Sequence, residues 1–379
     1  MASLGSMRIL QVCSSLAWGG TEMHVPILSK KLQSRGHEVC IISNPAGTIY
    51  GHSKDLSIPS QAIPIGAYIN PYSTYKLNRF IDCFEPDIIH LHLSRDLWQT
   101  VPATLLSKFD GPMVLTKHVG SYVKKNDFLH RWLYSRISKI ITVSETLNKN
   151  VSETCPILPN QVVTIHPGAD LDRFDRANYD RTNTRKLLGI SPDTRLIGTV
   201  GRISPGKGYE DLLLAAQKLR GQNPDQEIQF LIVGAASYGE EEYQKSIIKI
   251  SHELGLRETV VFTGFRDDIP ALLSALDIFI FPSRAEGFGA TVIEAMAMGI
   301  ACVSTRSDGT LDTVVDGKTS LVFKAGDIDR LTESIELLLT NNSLRERISE
   351  NGYNQVKERF NLDVMTDHVE DLYISLSSS

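Results

Sequence analysis

Short apolar runs recur along the chain, each followed by a longer stretch in which apolar positions return every three or four residues. The first pattern suits strands buried on both faces, the second amphipathic helices packed over them. Strands are predicted over 8–13, 38–43, 87–91, 113–117, 139–143 and 162–166, then over 196–200, 229–233, 260–263, 278–281, 301–304 and 320–323. Their alternation with helices predicts an α/β protein whose sheets are mainly parallel. Between the two sets, 168–193 is polar, rich in Arg, Asp and Asn, and lacks an apolar period. The expected organisation is therefore two doubly wound domains, 7–170 and 194–360, joined by a linker over 171–193 and facing across a central cleft. A last helix over about 361–376, after a break near Phe360, is expected to pack back on the first domain.

The length, 379 residues, agrees with two cores. No apolar stretch approaches the roughly 20 residues of a spanning helix. Residues 1–6 lack the basic start and apolar core of a signal peptide, so a cytoplasmic location is expected. Five cysteines (Cys13, Cys40, Cys83, Cys155 and Cys302) share no metal-type spacing and read as free thiols. Net charge is −5, yet 7–170 carries 16 Lys and Arg against 12 Asp and Glu. That asymmetry points to an anionic partner for the first half. Within it, 121–139 interleaves Lys124, Lys125, Arg131, Arg136 and Lys139 with aromatic residues, and Phe128, Leu129, Trp132, Leu133 and Ile137 fall on one helical face. Such a helix can lie on an anionic membrane from the cytoplasmic side or pack on a core, and both readings stay open.

Candidate chemistry gathers after the strands. Glu286 and Glu294 stand eight residues apart, the first on the loop after strand 278–281 and the second in the following helix, which Gly299 closes. The amides at that helix start favour an anion, above all a phosphate. The two carboxylates can accept hydrogen bonds from hydroxyls. After strand 196–200, Arg202 and Lys207 flank a Pro205-Gly206 turn and can hold a diphosphate. The string nearly fits a phosphate-loop pattern, but Gly208 stands where a metal-binding hydroxyl is needed, which argues against a P-loop NTPase.

These motifs resemble family 4 of the retaining glycosyltransferases. They are Gly19-Gly20-Thr21-Glu22, Thr116-Lys117-His118, Gly168-Ala169-Asp170 with Phe174, Gly201-Arg202 with Lys207-Gly208, Gly264-Phe265, and the Glu286…Glu294 pair. The resemblance covers Met7 to about Tyr373. It implies the GT-B fold of two Rossmann-like domains and a nucleotide-diphosphate sugar as donor. Arg202 and Lys207 would bind the diphosphate, and Glu294 the ribose. The amides around Gly289, Ala290, Thr291 and Val292 would meet phosphate. Glu286 would contact the transferred sugar, with the Gly287-Phe288-Gly289 backbone close by, and Gly264-Phe265 would pass the nucleobase. From the first domain, Gly19 and Gly20 would let backbone approach the donor, and His118 would reach the sugar near the reacting carbon. Asp308 and Asp312 depart from the family pattern.

Catalytic roles are thus expected for His118, Arg202, Lys207 and Glu286. His90 and His92 are expected to point in opposite directions. Asp170-Leu171-Asp172 sits at the linker without a metal-type constellation, so no metal or other cofactor is expected. The expected acceptor is a glycan or lipid-linked hydroxyl, with no nucleic-acid partner. No carboxylate can be assigned beneath the anomeric carbon, which favours front-face substitution. A sugar phosphorylase, a nucleotide-sugar epimerase, a glycoside hydrolase and a non-catalytic binding protein are the competing classes.

Overall fold

The structure is a computed structural model that describes residues 5–66 and 69–377. It divides into two compact units, one holding the chain up to Pro167 together with the segment from Asp363 onward, the other Gly168–Leu362.

In the first unit the strands are β1 (Arg8–Cys13), β2 (Glu38–Ser43), β3 (Ser60–Ala62), β4 (Ile88–Leu91), β5 (Met113–Lys117), β6 (Lys139–Thr142) and β7 (Val162–Thr164). They form one sheet in the order β3-β2-β1-β4-β5-β6-β7, every neighbouring pair parallel. Leu10, Val12, Ile89, Leu91, Leu115 and Ile140 are buried in its core, and helices cover both faces as a parallel sheet requires. Short β3 was not expected: Ser60, Gln61 and Ala62 form an edge strand too polar to leave a pattern.

The second unit repeats the plan with β8 (Arg195–Val200), β9 (Ile228–Val233), β10 (Val260–Gly264), β11 (Ile278–Phe281), β12 (Ala301–Thr305) and β13 (Leu321–Phe323), in the order β10-β9-β8-β11-β12-β13. Each sheet reverses its winding beside its first strand, between β1 and β4 and between β8 and β11. In open α/β sheets a ligand sits outside the strand carboxyl ends at that reversal.

Residues 171–193 depart from the expected linker. They fold onto the second unit, with Phe174 buried and a helix at Arg181–Leu187 capped by the Asp180 side chain. Arg181 and Arg185 both grip Asp277, at 2.6 and 2.8 Å, and Asp277 also accepts from the Leu196 amide at 2.8 Å. This anchor is ionic, so a search for apolar periodicity passes over it.

The last helix, Leu362–Ser377, belongs almost wholly to the first unit. Its Tyr373 is buried and pairs with His90 Nδ1 at 2.6 Å, and Glu370 meets Arg35 and His37 at 2.7 and 2.8 Å. The five cysteines are free, Cys83 alone exposed. Among the described residues no helix is long and apolar enough to cross a membrane. Over 121–139 only Phe128–Tyr134 is α-helical, and the expected single apolar face divides. Leu133, Tyr134 and Ile137 enter the core, whereas Tyr122, Val123, Phe128 and Leu129 are exposed.

Candidate functional site

In the second unit, the loops after β8 and β11 are stitched together at the winding reversal. The Arg284 amide donates to Gly206 O at 2.8 Å. Gly208 has φ +72°, and a Cβ there would lie 2.1 Å from Pro282 O, so both conformation and space demand glycine. Tyr209 fixes the β8 loop from below, its hydroxyl donating to Gly201 O at 2.8 Å. Lys207 Nζ then reaches Glu286 Oε2 at 2.5 Å, and Ser283 Oγ donates to the same oxygen at 3.4 Å. Arg202 remains exposed, with Ser237 Oγ at 3.4 Å.

Glu286, Gly287, Phe288 and Gly289 lead into the helix Ala290–Ala297, whose N-cap Gly289 adopts φ +84°. Among the described residues no side chain caps the helix start, which leaves its dipole open to an anion. One expected contact needs correction. The Val292 amide donates to Gly289 O at 3.0 Å inside the first turn, and its side chain is core, so that amide is already engaged. The Phe288 ring is buried against Phe360, with centroids 5.7 Å apart, so only its backbone faces the loop. Gly309 holds this loop from the β12 side: its amide donates to Glu286 O at 3.0 Å, and a Cβ would lie 2.1 Å from Gly287 O.

Glu294 lies half-buried one turn further along, and burial pushes its carboxyl up to about 7, against the pull of Arg173. At the end of β10, Gly264 takes φ +72° and Phe265 projects its ring at 68% exposure. Asp170 makes a turn, accepting the amides of Asp172 and Arg173 at 3.1 and 3.2 Å. Ser283 and the Arg284–Asp211 pair (2.7 Å) support the Glu286 loop without having been singled out in the sequence.

In the first unit, Gly19 is the extended N-cap of the helix Gly20–Ser34. A Cβ at Gly20 would meet nothing, and at Gly19 only the Glu22 carboxylate at 3.4 Å. The space beside both glycines is open. His118 follows β5 within a histidine cluster, its ring 5.1 Å from His24 and 6.1 Å from His92. Burial and the neighbouring imidazoles hold His118 well below the usual histidine range, so it is neutral at pH 7. Among the described residues its Nε2 has no hydrogen-bond partner. His24 was not singled out; its place four residues after Gly20 was the available signal.

The expected opposition of His90 and His92 does not hold. Positions two apart along a strand share a face, and the rings lie 4.4 Å apart. His90 bridges Tyr373 and Thr116 at 2.6 Å each, while His92 Nε2 pairs with Gln11 at 2.7 Å. Among the described residues, His24, His92 and His118 are the one group with a metal-type gathering of ligand atoms, all within 4.8 Å of one another.

Known proteins resemble this chain in sequence and in fold. Residues 18–173 match the model of Glycosyltransferase Family 4, and 180–355 that of Glycosyl transferases group 1. The chain is 28% identical to the capsular polysaccharide biosynthesis glycosyltransferase CapM of Staphylococcus aureus, over 62% of this chain and 60% of that one. It is 26% identical to a D-inositol 3-phosphate glycosyltransferase of Corynebacterium aurimucosum, over 95% and 92%. Anabaena Alr3699/HepE, solved with UDP and glucose, superposes with a TM-score of 0.85 at 22% identity, over 98% and 100% of the two chains. The two family models together span most of the chain, and the likeness in fold extends over nearly all of it. The chain belongs to glycosyltransferase family 4, and its two Rossmann-like domains are those of the GT-B fold.

Proposed function

We propose that this glycosyltransferase moves a sugar from a nucleotide-diphosphate sugar to a hydroxyl of a glycan or lipid-linked acceptor, retaining anomeric configuration and needing no metal. The observation that carries the reading is the Lys207–Glu286 pair at the β8/β11 reversal, beside a helix start that no side chain caps. One loop system thereby supplies a cation for a diphosphate, a carboxylate for sugar hydroxyls and amides for phosphate. Arg202 adds a second cation. Glu294 accepts from the ribose hydroxyls, and Phe265 offers its face to the base. His118, neutral and with an open Nε2, accepts from or donates to a sugar hydroxyl according to its tautomer.

In the reaction, the bond between the anomeric carbon and the donor diphosphate breaks. The acceptor oxygen bonds to that carbon on the same face, and its proton passes to the departing phosphate oxygen. Arg202 and Lys207 stabilise the negative charge that grows on the leaving group, the task a metal performs elsewhere. Docking of 121–139 on an anionic membrane forms part of the proposal, supported by exposed Tyr122, Val123, Phe128 and Leu129 beside Lys124 and Arg131.

Thermal-shift titration with UDP, GDP and ADP, then with their sugars, identifies the donor through its stabilisation of the native state. With donor and acceptor supplied, nucleoside diphosphate should be released only when both are present, unchanged by EDTA, and the product should keep the donor's anomeric configuration by proton NMR. Release that needs no acceptor, an inverted product or loss of activity in EDTA refutes the corresponding part. Sedimentation with liposomes that ignores anionic lipid content refutes membrane docking.

A further inference from the structure

The first unit contains a cavity of about 360 Å³ at the carboxyl ends of β4 and β5, lined by Ser94, Arg95, Lys117, His118 and Lys125 among others. A smaller hollow of about 270 Å³ shares Ser94, Arg95 and Lys125 with it and adds Tyr134. Three cations therefore gather at one place. Lys117 is 8% exposed and donates to Ser94 Oγ at 2.9 Å. Lys125 donates to Tyr134 Oη at 3.2 Å, and Arg95 Nε to Ser14 Oγ at 3.0 Å.

All of these partners are hydroxyls. Among the described residues none of the three cations has a carboxylate within ion-pair distance. Asp96, next in sequence to Arg95, is buried, and burial pushes its carboxyl up to about 7, which weakens it as a counter-charge. Lys117 bears the strain directly: burial, with Lys125 adding to it, lowers its ammonium to about 8. Lys117 is buried, Lys125 half-buried and Arg95 exposed, and a buried ammonium beside a like charge is destabilised unless an anion relieves it. Each lysine ammonium spends one of its three donors on a hydroxyl, and the Arg95 guanidinium one of its five. All three residues line the hollow of about 360 Å³, which is large enough for a phosphorylated sugar.

We infer that this cavity is a phosphoryl subsite, and that the acceptor carries a phosphoryl group that Arg95, Lys117 and Lys125 hold there. A phosphoryl group suits it better than a carboxylate, because three cations and two hydroxyls match an anion of multiple charge and several acceptor oxygens. The assignment to the acceptor rests on the transferase reading above. The cations proposed for the donor diphosphate, Arg202 and Lys207, belong to the other unit.

The test uses the full chain and inorganic phosphate, titrated calorimetrically at constant ionic strength against wild type, Lys125→Gln, Arg95→Gln and Arg202→Gln. Lys125 and Arg95 are not core residues, so these variants keep the fold, and melting curves verify it. Phosphate affinity should fall at least tenfold in Lys125→Gln and Arg95→Gln, with nucleoside diphosphate affinity kept within twofold. Phosphate binding that survives both and disappears in Arg202→Gln overturns the inference. If no nucleoside diphosphate binds while phosphate still depends on Lys125, the transferase reading fails and the subsite stands. Hexose 1-phosphate and dodecyl phosphate micelles then separate a soluble acceptor from a lipid-borne one. Either preference, if Lys125-dependent, supports the subsite, and equal response to neutral dodecyl maltoside micelles overturns it.

Discussion

Glu286→Gln should separate nucleotide binding from turnover, moving them in opposite directions. Glu286 Oε2 is shared by Lys207 Nζ at 2.5 Å and Ser283 Oγ at 3.4 Å, and the paired side chains are 23% and 26% exposed. At that exposure water screens the pair, which holds it to about 1 kcal/mol. Glutamine keeps the shape and the serine contact but releases the ammonium, and it removes a negative charge from the loop that would receive a diphosphate. A change of ~1 kcal/mol is roughly fivefold in a dissociation constant, so nucleoside diphosphate should bind about fivefold more tightly. Turnover should fall about 10²-fold, because an amide replaces the charged acceptor for hydroxyls of the reacting sugar. Isothermal calorimetry gives the first quantity, and acceptor-dependent nucleoside diphosphate release the second. If affinity and turnover decline together, Lys207 is not shared between the carboxylate and the diphosphate, and the assignment is refuted.

Other perturbations bear on the same frame. Lys207→Ala should lower kcat by about 10²-fold or more, the scale of one preorganised contact to developing charge; near-normal steady-state turnover would exclude it. Gly309→Ala should abolish donor binding in calorimetry while the fold persists by circular dichroism, since its Cβ would stand 2.1 Å from Gly287 O. Asp277→Ala strands buried Arg185 and should cost about 3–5 kcal/mol in urea unfolding. The arginines and the Leu196 amide hold the Asp277 carboxyl below its ordinary 3.8, so its contribution is complete above that pH and fades as pH falls through the lower folded value. The gap between wild type and variant should therefore narrow below about pH 3.8. Glu294, raised to about 7, is mostly protonated at pH 6; ribose hydroxyls donating to it favour the carboxylate and lower that value. Nucleotide binding at pH 6 should release up to one proton, measured calorimetrically in buffers of different ionisation enthalpy, and no release would remove Glu294 from the ribose site.

The parallel strands were legible because burial on both faces leaves unbroken apolar runs such as Phe279-Ile280-Phe281, and their ends mark the site. The Glu286 and Lys207 loops were legible for the same reason, since glycine, charge and proline stand where apolar runs stop. What escaped notice was held by polar contacts between residues distant in sequence. The helix Arg181–Leu187 is anchored through Asp277, some ninety positions away, and no period in the sequence records that pairing. Arg95, His24 and Ser283 acquire meaning only from what folding brings beside them. Val292 shows the converse: a motif names a stretch of chain, but the first helical turn claims a particular amide within it.

Because the helix Leu362–Ser377 supplies Tyr373 and Glu370 to the unit built from the earliest part of the chain, that unit stays unfinished on the ribosome until the other has emerged. His90, Arg35 and His37 wait during translation for partners made after the whole of the second unit. An excised N-terminal fragment would expose an apolar seam where this helix belongs, so expressing it alone calls for appending the terminal segment through an artificial tether.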